Sequence, residues 1–139
     1  MQYDLQRFLT AQQTDYPIAL AEIKQGHKRS HWIWYIFPQI AGLGFSATSK
    51  HYALQNAEEA EAYLNHPILG KRLVEICSEL LKLPTNNATQ IFGTPDDMKL
   101  RSCVTLFAQL PNANQVFQQV MDKFFDGEAD ELTLKKLGK

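Results

Sequence analysis

An all-α fold, a compact non-repeat single domain of about seven helices spanning residues 1–139, is predicted by three features of this chain. Apolar residues recur every three or four positions, capping residues and glycines punctuate those runs, and only one segment has a credible strand pattern. With 139 residues, 45% of them hydrophobic and 21% charged, the chain has the length and composition of one packed core, without the apolar depletion that marks disorder.

Asp4 stands where an N-cap belongs, ahead of Leu5, Phe8, Leu9 and Gln12 on one helical face. Asp15 can cap a second helix with Tyr16, Ala19, Leu20 and Ile23 inside and Gly26 as its stop, so the pair reads as a helical hairpin. The run His31–Phe37 suits a buried strand as well as a helix. Its sole candidate partner, Cys103 to Phe107, lies in a strong helical pattern, so a buried helix capped by Ser30 and ended by Pro38 is preferred and the strand stays as the alternative.

Asn56 caps a helix with Glu58 and Glu59 in its first turn, where the helix dipole favours anions, and with Ala60, Tyr63 and Leu64 inside. Pro67 suits the first position of the next, which continues through Leu69, Leu73, Ile76, Cys77 and Leu80. Pro84 to Asn87 is loop, and a short turn from Ala88 to Phe92 leads to Gly93. Thr94 as cap, Pro95 at the first position and Asp97 at the third open a helix with Leu100, Cys103, Val104 and Phe107 inside. Asp97 and Arg101 are spaced for an ion pair worth ~0.3–0.5 kcal/mol if exposed. Asn112 begins a helix through Val116, Phe117, Val120, Met121 and Phe124 that ends near Gly127, and Asp130 to Leu137 adds a final turn or two.

Composition narrows the function classes. With 14 basic and 15 acidic residues and a net charge of −1, no overall field draws the chain to nucleic acid or to an anionic membrane. Nothing approaches the roughly 20 apolar residues of a membrane span, and the start carries no apolar leader, so a cytoplasmic location is expected. Cys77 and Cys103 sit within apolar helical patterns and read as reduced core thiols, with burial opposing the thiolate a nucleophile needs. No motif requires a cofactor.

The most concentrated chemistry lies in His31-Trp32-Ile33-Trp34-Tyr35-Ile36-Phe37-Pro38-Gln39, preceded by Lys28-Arg29 and closed by Gly42-Leu43-Gly44. It belongs to a longer pattern: Asp4-Leu5 with Phe8, Ala11-Gln12, Tyr16 with Ala19-Leu20 and Glu22, Tyr52, His66-Pro67 with Leu69-Gly70 and Arg72-Leu73, and Ile91-Phe92-Gly93 with Asp96, Lys99-Leu100 and Ser102. In these positions, over nearly its whole length, the chain resembles the bacterial family known as domain of unknown function 1810, or Rv1873-like. The resemblance implies a compact all-helical fold and supplies no activity.

The residues themselves point to a pocket for an anionic, nucleotide-like small molecule, built from Lys28, His31, Trp34, Gln39, Gly42, Gly44, Ser46, Asp96, Lys99 and Ser102. Ammonium and imidazole groups hold phosphate oxygens, an indole face stacks a base, glutamine reads polar edges, and a glycine turn admits an anion to backbone N–H groups. The competing reading is purely structural, with the rings in the core and the lysines solvated. If turnover occurs, His31 with Asp96 as its orienting carboxylate is the expected acid–base pair. His27 and His31, four apart, are weak metal candidates without a His-Glu-x-x-His pattern, and no metal site is assigned. Ser46 lacks the setting of a nucleophile elbow. A different class of function is a non-enzymatic interaction module presenting Trp32 or Trp34 from segment 31–39 to a protein partner. The expected state is a monomer or weak homodimer.

Overall fold

The computed structural model describes residues 3–139; Met1 and Gln2, on which the expectation about a leader partly rests, lie outside the described residues. Nine helices follow one another there: α1 (Gln6–Lys24), α2 (Ile33–Ile36), α3 (Ala47–Tyr52), α4 (Ala57–Asn65), α5 (Leu69–Leu81), α6 (Ala88–Phe92), α7 (Asp96–Ala108), α8 (Val116–Phe125) and α9 (Glu131–Lys136). No helix is long and apolar enough to cross a membrane among the described residues. The all-helical expectation holds, with nine helices in place of about seven.

Two long helices carry the core. The anticipated inner positions of α5, Leu69, Leu73, Ile76, Cys77 and Leu80, are all buried, as are Leu100, Cys103, Val104 and Phe107 of α7. Around them α5 packs on α1, α4 and α8, while α7 packs on α4, α6, α8 and α9. Between α4 and α5 the chain turns so tightly that a Cβ at Gly70 would lie 1.8 Å from the Leu64 carbonyl oxygen, so only glycine fits there. Burial pushes the Cys77 and Cys103 thiols well above their ordinary range, in keeping with inert core residues.

The expected hairpin at the start is instead one 19-residue helix. Asp4 does not cap it; Leu5 occupies the N-cap position without a side-chain bond. Asp15 is no cap either, because its carboxylate accepts a hydrogen bond from the Tyr35 hydroxyl. Phe8, Gln12, Tyr16, Ala19 and Ile23 form one continuous buried stripe that outweighs the break signal of Pro17. Pro17 and Gln13, whose carbonyl Pro17 leaves without its helical donor, both face solvent, where water can replace the missing bond.

Smaller corrections follow, and at Ser30, Asp97 and Arg101 the cause is a polar side chain bonded to another element. Ser30 does not cap α2, since its hydroxyl donates to Glu22 Oε2 at 2.6 Å, and α2 is a single turn. Segment 31–37 contains no strand; beyond it lies only an isolated parallel bridge between Ile40 and Leu54. At α7 the N-cap position is Pro95, while Asp97 Oδ2 accepts from the Thr89 and Thr94 hydroxyls. Arg101 ignores Asp97 and donates to the carbonyls of Glu128 and Ala129 at 2.8 and 3.1 Å. Asn112 takes a left-handed conformation, φ 58°, and Asn114 Oδ1 accepts from Val116 N to open α8. Asn56 caps α4 as anticipated, and Asp130 caps α9, the expected final turn.

Candidate functional site

The site begins with a buried carboxylate. Glu22, in the last turns of α1, points inward and gathers four donors: the Arg29 and Ser30 amides at 2.8 and 3.0 Å, the Ser30 hydroxyl, and the Trp32 indole N–H at 2.9 Å. Burial alone would raise its pKa, but these donors prevail and push it down to about 2, so Glu22 stays ionised. The effect is to pin the loop from Gly26 to Trp32 in one shape.

That loop carries Lys28 to its station. Its amide donates to the Ile91 carbonyl at the end of α6, and its largely buried side chain runs across the Trp32 ring, with Nζ 4.9 Å from the ring centroid. Nζ then donates to the Ser30 carbonyl and pairs with Asp96 Oδ2 at 2.8 Å. Asp96 occupies the first turn of α7, where a negative charge is favoured, and its other oxygen receives Lys99 Nζ at 3.1 Å from one turn later. Partial burial would raise the Asp96 carboxyl, but the ammonium groups of Lys28 and Lys99 outweigh it and hold it below its ordinary value. Lys99 Nζ also lies 4.5 Å from the Trp34 ring centroid, within cation–π range.

These side chains line a cleft of about 280 Å³ together with His31, Ser46 and Thr48. Two ammonium groups share one carboxylate, so the Lys28–Asp96–Lys99 trio carries a net charge of +1. His31 is exposed at its edge, and no hydrogen bond joins it to Asp96. Trp32 is sealed in the core at 1% exposure, whereas Trp34 is half-buried with its ring open to the cleft.

The ten anticipated residues do not form one pocket. Lys28, His31, Trp34, Ser46, Asp96 and Lys99 share the front cleft. Gln39, Gly42 and Gly44 line a second hollow of about 190 Å³, which Trp34 also borders. Ser102 lines a third, of about 240 Å³, along with Trp34, Gln39 and Lys99. Trp34 is thus the wall common to all three. Ser102 spends its hydroxyl on the Met98 carbonyl within α7. Ser46 caps α3 by accepting from Ser49 N, so the glycine turn passes directly into a helix. Gly42 needs glycine for its φ of +96°, and at Gly44 a Cβ would come within 2.9 Å of the Trp34 ring and 2.6 Å of Ser49.

Glu22 and Tyr52 are participants that the chemical reading passed over. A carboxylate on the inner side of an apolar helix, ten residues before a tryptophan, was the available signal for the first. Among the described residues no three His, Cys, Asp or Glu side chains gather as a metal-binding group.

A family model described as a protein of unknown function, DUF1810, matches residues 2–137. The chain belongs to the DUF1810 family. It is similar to the conserved hypothetical protein Rv1873 from Mycobacterium tuberculosis, whose crystal structure matches with a TM-score of 0.96 and 41% identity, covering 99% of this chain and 98% of that one. No curated protein matches it. Neither description of DUF1810 relatives names an activity, so the cleft has to be read from its own chemistry.

Proposed function

We propose that the protein binds an anionic small molecule in the front cleft, with Lys28 and Lys99 facing the negative group, His31 as a donor at the rim and the Trp34 ring as a flat wall. One observation carries this reading: two lysines converge on a single carboxylate beside an open indole, so the three side chains together carry one positive charge in excess. A surplus of one charge favours a lone phosphate or carboxylate group over a polyphosphate. Asp96 serves here to hold the lysines in place. Because both its oxygens face ammonium groups, the support is stronger for binding than for acid–base turnover by a His31–Asp96 pair.

The interaction-module reading has less behind it. Trp32, Ile33, Ile36 and Phe37 are buried, so segment 31–39 has only Trp34 and Tyr35 to offer as partly exposed ring surface.

The test is calorimetric titration with inorganic phosphate, simple carboxylates, nucleotides and sugar phosphates at low and high salt. Binding that weakens as salt rises and is lost in Lys99→Gln is the expected result. Silence from every anion at millimolar concentration, in protein that melts cooperatively, overturns the proposal.

A further inference from the structure

Gln39 is 4% exposed, and its Nε2 is the sole buried side-chain nitrogen or oxygen among the described residues that has no hydrogen-bond partner. Native proteins rarely leave a buried N–H in that condition without a reason. The side chain hangs from rigid backbone: the Gln39 carbonyl accepts from Leu54 N at 2.9 Å, and Ala41 N donates to the Leu54 carbonyl at 2.8 Å. Gln39 also borders the two hollows that Lys28 and His31 do not reach. Each of the three hollows falls below the ~300 Å³ at which ordinary ligand pockets begin, yet they adjoin through a shared wall, the Trp34 ring.

We infer that the hollow walled by Trp34, Gln39, Gly44 and Tyr52 is a second subsite, which takes a neutral planar group bearing a hydrogen-bond acceptor on its edge, the class formed by heteroaromatic lactams and carboxamides. The Gln39 N–H, sealed from solvent and without a protein partner, supplies the matching donor once the carboxamide turns over toward an occupant, two aromatic side chains supply flat walls, and Gly44 keeps the hollow from closing on Trp34. Joined to the anion of the front cleft, and resting on that reading for the linkage, this makes the ligand bipartite: a negative group on one side of Trp34 and an acceptor-edged ring on the other.

The test uses ¹⁵N-labelled protein and three sets of probes: inorganic phosphate, the common ribonucleosides with nicotinamide as neutral rings, and nucleoside monophosphates. A neutral ring is expected to move the Gln39 side-chain amide resonance, and to bind about five- to tenfold more weakly to Gln39→Leu and Gln39→Met, while phosphate binding stays unchanged in both variants. The corresponding monophosphate binds more tightly than either half. The subsite is overturned if no neutral ring shifts the wild-type Gln39 amide, or if both variants bind such rings as the wild type does. Gln39-dependent ring binding without any phosphate binding removes the anion cleft and keeps the subsite; phosphate binding alone does the reverse.

Discussion

Two carboxylates, Glu22 and Asp96, sit at the centres of polar clusters that differ in their balance. Around Glu22 every donor and acceptor is matched: four donors meet one carboxylate, and the outcome is a loop of fixed shape. Around Asp96 two cations meet one anion, an indole face stays open, and the unpartnered Gln39 amide lies behind that same indole. A cluster that satisfies itself is scaffold, whereas one with capacity left over is built to meet something else. On this comparison Glu22 is a positioning residue, and the Asp96 side of the molecule is the face proposed for binding.

The comparison breaks first at Glu22. Glu22→Ala leaves four donors without their acceptor and is expected to cost about 2–4 kcal/mol in urea unfolding. Because folding lowers this pKa to about 2, the folded state binds the proton less readily than the unfolded chain. The stabilisation is therefore complete above the ordinary carboxyl range and fades as pH falls toward about 2, so wild type should lose melting temperature over that window more steeply than the variant. Gly44→Ala comes next, at about 1–3 kcal/mol, since the new methyl group must displace both Ser49 and Trp34.

Asp96→Asn sharpens the contrast because its two effects have opposite signs. Stability should drop by about 1–2 kcal/mol as Lys28, largely buried, loses its partner, while affinity for an anion in the cleft rises roughly three- to tenfold at low salt. Weaker anion binding by a folded variant would reduce the Asp96 cluster to another scaffold. Smallest is Phe45→Ala: the ring is 90% exposed, and unfolding free energy should stay within about 0.5 kcal/mol of wild type.

Helices with a long apolar stripe were legible from sequence, as α5 and α7 show, because burial of such a stripe decides structure over many residues at once. Local signals failed where a polar side chain had two plausible partners. Asp15, Ser30 and Asp97 each have the chemistry of a cap or helical ion pair, and each turned to a residue distant in the chain or on another element. Six of the ten site residues shared one cleft because the aromatic segment and the start of α7 are packed together through α6. The division of the remainder around Trp34 was invisible, since which faces of a half-buried ring stay open depends on packing that no spacing rule encodes.

The two indoles are separated by a single residue yet live in unlike surroundings, Trp32 sealed against Phe37 and Phe92, Trp34 bordering three hollows beneath an ammonium group. Nature has in effect given this chain a matched pair of fluorophores, one shielded from quenchers and one open to them. The shielded emission provides an internal reference against which any occupant's arrival can be read as a colour change, with no dye attached and no residue replaced.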